Sequence, residues 1–129
     1  MKPLLLITPG DPDGIGPEIV AKAFRNRARS SADWICIGSA EALAREKIPL
    51  DARTLEEWEA SGFKNWKSSA LKVIAAPTQK RASQAANAGF QSGWAIEVAV
   101  RALLHGHGDA LVTGPISKER LQKGGFLFP

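Results

Sequence analysis

Four short apolar runs, each stopped by a turn-forming segment and followed by residues of helical character, constrain this chain more than any other feature. Lys2 to Ile7 ends in Thr8-Pro9-Gly10-Asp11-Pro12, Asp33 to Ile37 in Gly38-Ser39, Leu71 to Ala76 in Pro77-Thr78, and Ala110 to Thr113 in Gly114-Pro115. Runs of this length read as strands buried on both faces, and intervening helices force crossovers in place of hairpins. The order predicts an α/β fold with a largely parallel sheet. Pro17 suits the first position of a helix, Glu18 falls in its first turn, and Ile19, Val20, Ala23 and Phe24 share a face. A short helix is predicted over Ala40 to Glu46 and a long one from Ser83, as cap, to about Leu104. Ala88, Ala95, Ala99 and Leu103, with Ile96 and Val100, should form its core stripe. Gly89 and Gly93 lie one turn apart on it, where a close backbone or ligand approach would explain them. Gly106 suits the left-handed position that ends the helix, and Ser117 should cap a last one. Between Ile48 and Lys67 the periodicity is poor, and only a short helix around Leu55 to Ala60 is predicted.

At 129 residues and 44% hydrophobic, the chain has the size of one domain and can bury a core without staples. Its single cysteine, Cys36, excludes an internal disulfide and favours a reducing compartment. Flanked by Ile35 and Ile37, it reads as a small buried hydrophobe. No apolar run approaches a membrane span and no signal-peptide pattern opens the chain, so cytoplasm is expected. The net charge is +4, but Lys22, Arg25, Arg27 and Arg29 cluster where the first helix ends, and cations are favoured there by the helix dipole. Elsewhere both signs intermix, which predicts a solvated surface, with no nucleic acid or membrane as partner. Trp34, Trp58, Trp66 and Trp94 share no spacing, so packing or an interface is expected of them.

Two strand ends carry the chemistry. Thr8 to Glu18 is a glycine-rich loop between a buried strand and a helix start, where open α/β sheets hold ligands and free N–H groups meet anions. It is neither a P-loop nor Gly-x-Gly-x-x-Gly. Spacing alone leaves a tight structural turn as an equal alternative. Asp109 to Lys118 repeats the arrangement, with Lys118 in a first helical turn against the dipole preference, which points to an anionic partner or to a solvated lysine beside Glu119. His105, His107 and Asp109 have metal-like spacing, but the histidines fall at a helix C-terminus and no further ligand cluster accompanies them. They are read as solvated helix-end residues, and no metal site is expected in this chain.

Taken in order, Ile7-Thr-Pro-Gly-Asp-Pro-Asp-Gly-Ile-Gly-Pro-Glu18, Asn87-Ala-Gly89 opening the long helix, and Asp109-Ala-Leu-Val-Thr-Gly-Pro-Ile-Ser-Lys118 resemble the 4-hydroxythreonine-4-phosphate dehydrogenase family of pyridoxal-phosphate biosynthesis. The first segment is also similar to the wider isocitrate/isopropylmalate dehydrogenase superfamily. The resemblance implies a three-layer α/β/α fold, of which residues 1–129 are an N-terminal portion, with the remaining strands and the second domain of the two-domain fold absent from this chain. It further implies NAD-dependent oxidation and decarboxylation of 4-phosphohydroxythreonine, a homodimer, and a divalent metal (zinc, magnesium or manganese) in the complete enzyme. By the same resemblance Asp11, Gly14 and Ile15 are expected near the cofactor, and Thr113, Gly114, Ser117 and Lys118 near cofactor or substrate.

One departure matters. After Gly124-Gly125-Phe126-Leu127-Phe128-Pro129 the family pattern continues into Gly-His-Thr-Glu, and its three metal-holding histidines lie further on. The chain by itself is therefore expected to be catalytically silent and to associate through exposed core surface. A second reading, from another class, is a non-catalytic α/β module that binds a small anion or self-associates.

Overall fold

The computed structural model describes residues 2–27, 31–61 and 69–127. In chain order the elements are β1 (Leu4–Thr8), α1 (Gly16–Arg25), β2 (Asp33–Gly38), α2 (Ala40–Ala44), β3 (Leu50–Arg53), α3 (Leu55–Ser61), β4 (Leu71–Ala75), α4 (Gln84–Leu104), β5 (Ala110–Thr113) and α5 (Lys118–Lys123). The strands form one sheet in the order β3-β4-β2-β1-β5, every neighbouring pair parallel. In register, Leu5 of β1 stands between Trp34 of β2 and Ala110 of β5.

Alternation along the strands divides the core into two layers, as the two-residue period of a pleated strand requires. Leu6, Ile35, Ile37 and Ile74 pack with Trp58 of α3 and with Ala95, Val98, Ala99 and Ala102 of α4. Ile7, Cys36, Leu71 and Val73 face the other way, against Val20, Ala21 and Phe24 of α1 and Leu43 of α2. The architecture is the expected α/β/α sandwich. Leu6, Ile35, Ile37 and Ile74 are wholly buried, each stabilising the fold by about 1.5–3 kcal/mol relative to exposure.

Several boundaries and faces differ from the sequence reading. On α1 the buried face is Pro17, Val20, Ala21 and Phe24, whereas Ile19 and Ala23 are exposed. On α4 the stripe runs through Ala88, Ala95, Val98, Ala99 and Ala102, Leu103 and Ile96 are half-buried, and Val100 is exposed. Small residues thus make its closest approach to the sheet in place of the larger ones beside them. β3 was not expected. It is an edge strand with one neighbour, where Asp51 and Arg53 pair at 3.3 Å on the same side, so its composition carries no apolar run.

The caps follow the sequence. Ser39, Ser83 and Ser117 accept from the N–H groups of Ala42, Ala86 and Arg120, at 3.1, 3.1 and 3.2 Å. Gly106 follows α4 with φ +77°. The glycines of α4 are explained by α5, since a Cβ on Gly89 would lie 1.6 Å from the Arg120 carbonyl oxygen and one on Gly93 would strike the Phe126 ring. The approach is by backbone and side chain, not by ligand. Trp34, Trp58 and Trp94 pack into or against the core, while Trp66 and Arg29 lie outside the described residues. Arg27 stacks 3.8 Å above the Phe24 ring and donates to the Phe24 carbonyl, in keeping with a cation at a helix end. No described helix is long and apolar enough to cross a membrane.

Candidate functional site

The chain leaves β1 toward β2 through α1 on one face of the sheet, and reaches β5 from β4 through α4 on the other. The strand order therefore reverses between β1 and β5, and the crevice beyond their carboxyl ends is a topological switch point. Both sequence motifs arrive there. The Gly114 N–H donates to the Thr8 carbonyl at 2.6 Å, and the Asp11 N–H to the Pro115 carbonyl at 2.9 Å. Gly10 has φ +84°, and a Cβ on it would lie 2.1 Å from the Pro115 oxygen. Only glycine satisfies both conditions.

Gly16, the first residue of α1, sits over Pro9, whose carbonyl oxygen would be 1.6 Å from an added Cβ. The helix thus begins directly against the loop. Ile15 occupies its N-cap with no side-chain cap, and Pro17 supplies no N–H. Among the described residues no hydrogen bond takes the N–H of Ile15, Gly16 or Glu18. Such a start offers open donors and the positive end of a helix dipole to an anion. Gly14 and Ile15 are exposed at this point, and a Cβ on Gly14 would meet only Asp11 within 4 Å. Packing does not demand glycine at position 14, and its bare backbone leaves the outer face of the loop open. Thr8 ends β1 1% exposed, and its hydroxyl has no hydrogen-bond partner.

Asp11 is turned inward. It is 7% exposed, and its Oδ1 accepts from the Asp13 N–H at 2.8 Å. Arg120 of α5 reaches both acids, donating through Nη1 to Asp13 Oδ2 at 2.6 Å and to Asp11 Oδ1 at 3.4 Å. Gln84, at the start of α4, donates to Asp13 Oδ2 at 3.1 Å. Partial burial alone would raise the pKa of Asp13, but the hydrogen bonds from Arg120 and Gln84 and the Arg120 charge outweigh it, and its carboxyl is held below the ordinary value. Reciprocally, the bond to Asp13 pushes the Arg120 guanidinium up.

Of the residues expected from sequence, Asp11, Gly14, Ile15 and Gly114 thus meet at one crevice. Thr113 is the register partner of Thr8 at the end of β5 and is exposed. Ser117 spends its hydroxyl on capping α5, and Lys118 is the exposed first residue of that helix. Sequence reasoning missed Asp13, Gln84 and Arg120. Arg120 stands in the last turn of a six-residue helix, where a cation is favoured without any partner, so nothing local pointed to its role.

The histidines stand elsewhere. Both precede β5 and so lie toward the amino ends of the strands, beside an open cavity of about 400 Å³ lined by Leu55, Trp58 and Val98 among others. His105 Nδ1 bonds the Arg101 carbonyl at 2.7 Å, and His107 meets the Trp58 ring edge-on. Among the described residues no three His, Cys, Asp or Glu side chains gather where a metal could be held. The residues present do not fit the metal that the family resemblance implies.

A family model described as pyridoxal phosphate biosynthetic protein PdxA matches residues 30–129. A 4-hydroxythreonine-4-phosphate dehydrogenase of Zymomonas mobilis is 39% identical over 134 residues, covering 100% of this chain and 38% of that relative. A Geobacter metallireducens protein of the same name is 34% identical over 140 residues, covering 99% of this chain and 40% of its own length. A crystal structure of a 4-hydroxythreonine-4-phosphate dehydrogenase from Burkholderia phymatum superposes with a TM-score of 0.78 at 26% identity, over 100% of this chain and 41% of that one. The chain spans about two-fifths of the length of the curated relatives it matches.

Proposed function

The chain belongs to the pyridoxal phosphate biosynthetic protein PdxA family, and from that membership we propose that it supplies the cofactor-side crevice of a dehydrogenase acting on 4-phosphohydroxythreonine. The observation that carries the proposal is the meeting of two glycine-containing loops at the switch point, beside an uncapped helix start. The residues there fit NAD: the open N–H groups of Ile15 and Gly16 suit a pyrophosphate, Gly14 leaves room for close approach, and Lys118 adds positive charge to the same edge. NAD, when bound, would take up the hydride released as the secondary alcohol of the substrate becomes a carbonyl.

The chain's own residues bind and orient in this scheme. The loop from Pro9 to Gly16 is braced by β5 and α1 and so keeps its shape before a ligand arrives, which lowers the ordering cost of binding. Thr113 and Gly114 border the crevice from the β5 side. Lys118 attracts either the dinucleotide or the phosphate of the substrate. Loss of carbon dioxide from the oxidised product would call for a metal, for which the described residues offer no ligand set. A homodimer is the proposed assembly.

Calorimetric titration of NAD tests the assignment. Gly14→Val should weaken NAD binding at least about tenfold, while its melting temperature shifts less than that of a core truncation such as Leu6→Ala, at about 2–5 kcal/mol. Unchanged NAD affinity in Gly14→Val would remove the loop from the cofactor site. Lys118→Ala should raise the concentration of NAD or of phosphorylated substrate needed for half-saturation. With D-threonate 4-phosphate offered beside 4-phosphohydroxythreonine, the same measurement identifies the substrate.

A further inference from the structure

We propose that Arg120 is a positioning residue of this crevice, one whose guanidinium, shared by Asp11 and Asp13, fixes the glycine loop and offsets one of their two negative charges in front of an anionic ligand. The proposal rests on the reading of the loop as a dinucleotide site. Two carboxylates next to a pyrophosphate would repel it, and Asp11 and Asp13 stand five and three residues before the first residue of α1. Arg120 contacts both, and Gln84 holds the second from another helix. The loop is therefore tied to α4 and α5 as well as to β5.

The backbone that carries the guanidinium is packed in place. Leu121 is buried, and the backbone of Arg120 is pressed against α4 at Gly89. The carboxylate of Asp11 is occupied internally by the Asp13 N–H. These acids are anchors that shape the loop, and ligand contact falls to the backbone of Gly14, Ile15 and Gly16 and to Lys118. That division of labour separates Arg120 from a catalytic residue, because it touches acids of the chain and no reacting atom.

The acids' role fixes the sign of a double substitution. Arg120→Met should speed amide exchange at Asp13 and Gly14 about tenfold and weaken NAD about tenfold, on the scale of one charge-assisted hydrogen bond. Arg120→Lys, which keeps the charge, should restore part of both. Adding Asp13→Asn to Arg120→Met should recover NAD affinity, because the uncompensated acid disappears with its repulsion. Further weakening by Asp13→Asn would mean that the acid meets the ligand directly, and would overturn the proposal. So would unaltered loop exchange in Arg120→Met. Wild-type protein that bound no NAD but showed the exchange response would refute the cofactor reading and support the positioning role.

Discussion

Asp13 and Cys36 show how burial, which disfavours the charged form of both, prevails at one residue and is overcome at the other. Burial is the largest influence on each, and for Cys36, wholly enclosed in β2 between Ile35 and Ile37, nothing opposes it, so its thiol is pushed far up. Cys36 should react with an aromatic disulfide reagent only as fast as the protein unfolds, and rapid modification under native conditions would contradict its placement. For Asp13 the bonds from Arg120 and Gln84 prevail, and the carboxyl is depressed. A depressed acid stabilises the native state above the ordinary aspartate value, and that contribution fades as pH falls through the lowered one. Asp13→Asn should therefore lower stability at neutral pH and flatten the acid limb of a denaturation series below about pH 4. An acid limb of unchanged steepness would show that other carboxyls govern it.

Among the elements, the α4–α5 pair depends on a single absent side chain. Alanine in place of Gly89 gains about 1 kcal/mol of helix propensity. It also places a Cβ 1.6 Å from the Arg120 carbonyl, which must move away. We expect a net loss of about 1–3 kcal/mol, with trypsin cutting faster after Lys118, Arg120 or Lys123. Equal melting temperature and equal cleavage would mean that α5 is not seated on α4. The elements themselves were largely legible in the sequence, because β1, β2 and β4 are central strands with apolar residues on both faces, and three serine caps mark helix starts. β3 was illegible because an edge strand of alternating charge carries no core signal. The exposed Val100 and buried Ala102 show a second limit, since residue size alone does not reveal which face of a long helix meets the sheet. At the site, the loops could be placed by their position after strands. The bond between Asp13 and Arg120, 107 residues apart, has no local signature in a single sequence.

For the molecule as a whole, the open edge of the sheet is the consequential surface. Among the described residues β5 pairs with β1 alone, and Val112 on it is 49% exposed. Val112→Lys tests whether this edge carries the proposed self-association: it should lower the sedimentation coefficient while leaving the circular dichroism intact, as charged residues do on strand edges. Association that persists unaltered would place the contact elsewhere. The order β3-β4-β2-β1-β5 also sets a timetable for biosynthesis. The backbone N–H of Leu4 bonds the side chain of Asp109, a closure of 105 residues. At about 5–20 residues per second, a ribosome delivers β5 roughly 5–20 s after β1. Throughout that interval the nascent chain displays one flank of its first strand with nothing to pair it, a template for stray strands and a foothold for chaperones. The crevice that gathers the ligand-facing loops is thus the last part of the described fold to come into being, and slow codons placed before residue 109 should lengthen its exposure more than slow codons after it.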